Sequence, residues 1–79
     1  MEIKEILEVI TPIFRSVFND DDLDVTMDLT SDEIDEWSSL TQTILVTEIE
    51  KTFDVKFKLL EVAKMNSVKA IVSSIQSKV

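Results

Sequence analysis

The chain has no cysteine, histidine, glycine or tyrosine, and its only proline is Pro12. The absence of cysteine excludes disulfides and thiolate metal sites, and the absence of histidine removes the commonest general base and metal ligand. The absence of glycine excludes glycine-dependent phosphate-binding loops and disfavours tight β-hairpin turns. The sequence therefore favours a helical fold and argues against most enzyme classes.

The length of 79 residues, with 44% hydrophobic side chains, predicts one domain over residues 1–79 with a single modest core. No segment approaches the roughly 20 consecutive apolar residues that a membrane-spanning helix needs. The first residues, Met1 to Glu5, lack the basic start and apolar run of a secretory signal. We therefore expect a cytoplasmic protein that does not associate with membranes.

The net charge of −8 is distributed unevenly along the chain. Between Arg15 and Lys51 there are eleven acidic residues and no basic one, whereas six lysines and two acids lie from Lys51 to the end. Such an acidic surface repels nucleic acids and anionic lipids. The charge thus predicts protein partners with basic patches.

The spacing of apolar residues predicts an all-α fold, a small antiparallel four-helix bundle with three main helices and a short third one. The first helix is expected over 3–18 as a single helix kinked at Pro12, and the second over 39–53. An apolar segment over 59–65 predicts one or two turns, and a last helix follows an N-cap at Asn66 or Ser67. The acidic segment from Asn19 to Trp37 predicts a long loop with a helical turn at 30–33.

Two faces are predicted for the second helix. Gln42, Leu45, Val46, Ile49 and Phe53 share the core face, whereas Leu40, Ile44 and Glu48 lie nearly opposite. Trp37 either continues this outward apolar stripe or folds back onto the loop, and the sequence does not decide between the two. An exposed apolar stripe would serve as a docking surface for a partner protein.

The carboxylate-rich loop predicts neither a catalytic pair nor a specific calcium site. Acidic runs of this kind usually form a solvated face, and carboxylate catalysis requires a substrate cleft. The cluster Asp20–Asp24 lacks the central glycine and terminal glutamate of a calcium-binding loop. We therefore expect no metal site and no catalytic residue.

The segment Trp37-Ser38-Ser39-Leu40 places two serines where the acidic loop meets the second helix. Serine is a favoured N-cap, and Ser39 followed by Gln42 matches a capping box. A serine at a helix N-terminus is also exposed, and the helix end stabilises a phosphate attached there. From the residues alone, the capping role is the simpler interpretation.

The same segment and the residues after it resemble the acyl carrier protein family, whose members carry an Asp-Ser-Leu motif at the start of the second helix. The resemblance continues through Glu48-Ile49-Glu50-Lys51, Phe53-Asp54-Val55-Lys56-Phe57 and Asn66-Ser67-Val68, and covers most of the chain. It implies that Ser39 receives a 4′-phosphopantetheine arm, and that Ser38 is then the helix cap. The implied function is to carry acyl intermediates as thioesters in a fatty-acid, polyketide or related lipid or secondary-metabolite pathway.

The chain departs from the family pattern in three places. Ser38 replaces the motif aspartate, the outward face of the second helix carries Leu40 and Ile44 with few acids, and lysines follow Phe57. These departures predict a specialised carrier that docks partners more through apolar contacts at Trp37, Leu40 and Ile44 than through charge. Ser38 and Glu48 are also expected among the partner-binding residues.

The resemblance also implies a set of partners. We expect a phosphopantetheinyl transferase (the holo-carrier synthase), acyl-transferring enzymes and chain-modifying enzymes, with the carrier itself a monomer. Two other functions remain open: an unmodified helical interaction module with the same fold, and a small metal-binding or hydrolytic protein.

Overall fold

The computed structural model describes all 79 residues, which form four helices and no strands. Helix α1 spans Ile3–Val17, α2 spans Ser39–Phe53, α3 spans Leu59–Ala63 and α4 spans Val68–Gln76. A single 3-10 turn, Ser31–Glu33, lies in the connection between α1 and α2. The predicted all-α, four-helix architecture is confirmed, including the bounds of the second helix.

Helix α1 is one continuous helix although it contains Pro12. The proline removes one backbone donor, the one that would reach the carbonyl of Glu8. Both Pro12 and Glu8 are exposed, so water can satisfy that carbonyl. The apolar stripe of α1 supplies Ile6, Ile10 and Phe14 to the interior and packs against α2 and α4. Because burial of this stripe stabilises the helix, the proline does not divide it.

The core consists of sixteen buried side chains, all of them hydrophobic. They come from α1, α2, α4 and the connecting segments: Ile6, Ile10, Phe14, Phe18, Val25, Leu29, Ile34, Trp37, Leu45, Val46, Ile49, Met65, Val68, Ile71, Val72 and Ile75. No buried side-chain polar atom lacks a hydrogen-bond partner. The helices thus share one apolar interior, as expected for a small domain.

The long connection after α1 is anchored to the helices at several points along its length. The Arg15 Nε donates to the Leu23 carbonyl at 3.0 Å, and the buried side chains Val25, Leu29 and Ile34 anchor the middle. The Val68 N–H donates to the Leu29 carbonyl at 2.9 Å, which ties the connection to the start of α4. These contacts fix the position of the connection that leads to the two serines at the N-terminus of α2.

Helix α4 is capped by Ser67, one of the two N-cap residues predicted from the sequence. The Ser67 hydroxyl accepts a hydrogen bond from the Ala70 N–H at 3.1 Å, so Ser67 and not Asn66 is the N-cap. The helix ends at Gln76, and Val79 beyond it is exposed.

Candidate functional site at the N-terminus of α2

The two adjacent serines at the start of α2 have different environments. Ser38 is the N-cap, with extended backbone angles. Its hydroxyl accepts from the Thr41 N–H at 3.4 Å, and its own N–H donates to the Thr41 hydroxyl at 2.7 Å. This reciprocal pair is a capping box. Ser38 is thus the cap, which confirms what the family resemblance implied, and the capping box matched from the residues alone at Ser39 and Gln42 is wrong by one residue.

Ser39 is the first helical residue, and its side chain is exposed. Its carbonyl accepts from the Thr43 hydroxyl at 3.2 Å, but its own hydroxyl makes no hydrogen bond within the protein. No acidic residue lies in the first turn of α2. An anionic group attached to this hydroxyl would therefore meet the positive end of a 15-residue helix whose first turn carries no carboxylate.

A groove of about 490 Å³ opens beside Ser39, between the start of α2 and helix α3. Eleven residues line it, five of them hydrophobic. Its apolar lining includes Trp37, Leu59, Val62 and Met65, and its polar lining includes the two serines and Gln42. An elongated group attached at Ser39 thus has a partly apolar surface to lie against.

Trp37 lies at the base of this groove and is only 9% exposed. Its ring lies edge-on to Phe14, with centroids 5.5 Å apart, and tilted against Phe18 at the same distance. Of the two alternatives for this residue, the structure shows the one in which Trp37 folds back into the protein. The reason is packing, because the indole fills space between α1 and α2 that the smaller loop residues leave open. Trp37 therefore does not belong to an exposed docking stripe.

The outward face of α2 retains an apolar surface without Trp37. Leu40 is 74% exposed and Ile44 is 46% exposed, and Glu48 lies exposed one turn further on. Ile44 and Glu48 also border a second groove of about 470 Å³ with Pro12, Ile13 and Val17 of α1. We refer to Leu40, Ile44 and Glu48 as the α2 outer face.

Two further leucines, which the sequence did not single out for exposure, are exposed on α3, and Leu59 lines the Ser39 groove. Leu59 is 84% exposed and Leu60 is 76% exposed, both at the start of α3. A short apolar segment suggests burial from its composition alone, and only the tertiary arrangement shows that α3 turns Val62 inward and these two residues outward. Both sides of the Ser39 groove thus carry exposed apolar side chains.

Gln42 is the second feature whose role the sequence did not reveal. Its amide nitrogen donates to the carbonyls of Val62 and Met65 at 3.1 and 2.9 Å, and its amide oxygen accepts from the Trp37 indole N–H at 2.5 Å. Predicted on the core face of α2, it is partly buried and bridges α2, α3 and Trp37. A glutamine among apolar core-face positions is the one signal in the sequence for such a partly buried polar contact.

The carboxyl of Glu61, in α3, has a lowered pKa. The Lys58 N–H donates to its carboxylate at 2.9 Å, and this hydrogen bond lowers the pKa of Glu61 below the usual 4.5. The Lys78 ammonium, 3.3 Å from the carboxylate, acts in the same direction. The contact joins the start of α3 to the C-terminal end of the chain.

The acidic loop does not form a metal site. No group of three or more aspartate, glutamate, histidine or cysteine side chains is placed to hold a metal ion. Within Asp20–Asp24, the Asp20 carboxylate accepts from the Asp22 N–H at 3.1 Å, which is a local turn contact. No helix is both long enough and apolar enough to span a bilayer.

Comparison with solved structures shows which proteins share this architecture. A holo acyl carrier protein from Geobacter metallireducens superimposes with a TM-score of 0.83 at 35% sequence identity, over 91% of this chain and 83% of that one. A proposed acyl carrier protein from Mycobacterium tuberculosis has the same fold, with a TM-score of 0.81 at 20% identity over 90% of this chain and 95% of that one. No model of a known protein family matches the chain, and no curated protein sequence matches it.

The identity and coverage shared with the Geobacter metallireducens protein establish the relationship. The chain belongs to the acyl carrier protein family, whose members are carriers and not enzymes.

Proposed function

We propose that this protein carries acyl intermediates as thioesters on a 4′-phosphopantetheine arm attached to the Ser39 hydroxyl. The observation that carries the proposal is the exposed Ser39 hydroxyl, free of hydrogen bonds within the protein, at the N-terminus of α2 beside a groove. When bound, the arm supplies a terminal thiol, which the cysteine-free polypeptide lacks. The chain acts as a single carrier domain.

The residues around Ser39 fit the arm in charge and in shape. The N-terminal peptide dipoles of α2 stabilise a phosphodiester at Ser39, and the capping box of Ser38 and Thr41 fixes the backbone that presents it. The groove beside Ser39 offers both polar and apolar contacts to a flexible chain. These features support Ser39, not Ser38, as the attachment residue, because the Ser38 hydroxyl is occupied by its cap.

The α2 outer face is the proposed docking surface for partner enzymes. Leu40 and Ile44 are exposed beside the attachment residue, and Glu48 adds one carboxylate for a basic partner. Ser38 contributes as the exposed residue adjoining Ser39. The partners expected at this face are the phosphopantetheinyl transferase and the acyl-transferring and chain-modifying enzymes. We expect the carrier to bind them as a monomer. Apolar contacts of this kind provide affinity at the centre of an interface.

The proposed setting is a dedicated fatty-acid, polyketide or related lipid or secondary-metabolite pathway in the cytoplasm. Ser38 in place of the motif aspartate and the apolar α2 outer face distinguish this chain from a general carrier steered to its partners by charge. We expect a partner enzyme adapted to this face.

Intact-mass measurement tests the attachment site directly. The protein is incubated with coenzyme A and a broad-specificity phosphopantetheinyl transferase, and we expect the wild type to gain the mass of one arm. Ser39→Ala abolishes the gain, and Ser38→Ala retains it despite losing the cap hydroxyl. A wild-type mass that stays unchanged would refute the proposal and would instead support an unmodified interaction module with the carrier fold.

A further inference from the structure

We infer that Gln42 acts as a latch that closes the inner end of the Ser39 groove, so that cargo stays in the groove and does not enter the helical core. This inference rests on the proposed function, since it concerns the group carried at Ser39. It predicts a cargo class: acyl groups that are short or bear hydrogen-bonding oxygens, in preference to long saturated chains.

The hydrogen bonds of Gln42 define the latch. Its two amide hydrogens are both used, by the carbonyls of Val62 and Met65, and its oxygen accepts from Trp37. The indole N–H can only donate and the two carbonyls can only accept, so one orientation of the amide satisfies all three partners. The side chain therefore connects three separate segments of the chain in one geometry.

Helix α3 depends on these contacts for its position. It has five residues, which is too few for a helix that is stable by itself. Leu59 and Leu60 at its start are exposed, and its buried contacts come from Val62 and the following Met65. Because the Gln42 bonds reach the carbonyls of these same two residues, they hold α3 against α2 where it borders the core.

An alkyl chain that passed from the groove into the core would have to separate Gln42 from those carbonyls. The amide and both carbonyls would then face hydrocarbon without partners, and the Trp37 N–H would lose its acceptor. The groove itself has a mixed lining, with six polar residues among eleven but more apolar than polar surface. Oxygens on a cargo can exchange hydrogen bonds with the polar residues there, and a short apolar chain can lie against the rest. With the core closed, the part of a long saturated chain that exceeds the groove stays in water.

Amide hydrogen exchange on the unloaded protein tests the latch without reference to any arm. We compare the wild type with Gln42→Met, which removes all three hydrogen bonds at nearly constant size, and with Gln42→Glu, which keeps an acceptor for Trp37 but lacks the two donors. Both variants should raise exchange in residues 62–66 about tenfold, while α1 and α4 keep wild-type rates. Thr52→Val is the control, because its hydroxyl bonds only to the Glu48 carbonyl, away from the groove. Unchanged exchange at residues 62–66 in both Gln42 variants would overturn the inference.

The location of the cargo is tested on protein loaded with an octanoyl arm by the transferase from octanoyl-coenzyme A. In the wild type, amide NMR shift differences between the holo and octanoyl forms should be confined to groove residues such as Thr43 and Leu59. In Gln42→Met they should extend to the buried Leu45 and Ile71. Core shifts in the wild type, or the same confined pattern in both proteins, would overturn the inference alone. Failure of Ser39 to gain any arm would overturn the proposed function and, with it, this inference.

Discussion

The placement of Trp37 leads to a quantitative prediction for Trp37→Phe. The substitution removes the indole N–H that donates to Gln42, and it replaces a large buried ring with a smaller one beside Phe14 and Phe18. Loss of this hydrogen bond leaves the partly buried Gln42 amide oxygen without its Trp37 donor, which lowers the free energy of unfolding by about 1 kcal/mol. The space left by the smaller ring adds about 1–2 kcal/mol, as for other large-to-small core changes.

The sum of about 2–3 kcal/mol is large for a domain of this size. A chain of 79 residues has a free energy of unfolding of roughly 4–12 kcal/mol. For such a small domain each kcal/mol corresponds to about 4–8 °C in Tm, so we expect Tm to fall by about 8–24 °C. The loss leaves a folded but clearly less stable protein.

Urea denaturation followed by circular dichroism is the appropriate assay, because the variant has no tryptophan to report by fluorescence. Leu40→Ala is the matched control, since Leu40 is 74% exposed and should change the free energy of unfolding by no more than about 0.5 kcal/mol. A Trp37→Phe protein within that same margin would show that the indole is not packed as described. That result would favour the alternative in which Trp37 belongs to the exposed docking stripe.

Two further predictions concern the docking surface and helix α3. Ile44→Glu should lower kcat/KM of the transferase for the carrier by about fivefold or more. Ile3→Glu, at a similarly exposed isoleucine on α1, is the control and should leave kcat/KM unchanged. The same kcat/KM for both variants would show that the α2 outer face does not dock the transferase. Because the folded-state pKa of Glu61 lies below 4.5, its stabilising contribution is present above pH 4.5 and is lost as pH falls through the lower folded value. The protection factors of the α3 amides, measured relative to the unfolded-chain rate at each pH, should therefore fall on acidification in the wild type and less in Glu61→Gln. An identical pH profile of the protection factors in both proteins would contradict this role.

Most of the fold could be predicted from local patterns. The apolar stripe of α1 repeats at helical spacing strongly enough to continue past Pro12, and the bounds of α2 follow from the serines at its start and its apolar positions. Even the 3-10 turn at Ser31–Glu33 lies where the residue types favour one. Such features depend on periodicity and capping preferences, which are properties of neighbouring residues.

The details of the candidate site were harder to predict. The residues alone matched a capping box at Ser39 and Gln42, whereas the family resemblance implied the Ser38 cap that the structure shows, bonded to Thr41 three residues further on. The role of Gln42 depends on carbonyls 20 and 23 residues away. No local pattern specifies contacts of that range.

Residue types and their spacing were thus enough to predict a small acidic helical domain, without cysteine or histidine chemistry, and a serine pair at a helix start that resembles a carrier motif. The packing of the bundle was needed to show that Trp37 is buried, that Leu59 and Leu60 are exposed, and that the Ser39 hydroxyl opens onto a groove. The difference arises because helical periodicity encodes which face of one helix is apolar. How much of that face is covered depends on the elements packed against it, and only the assembled bundle supplies those.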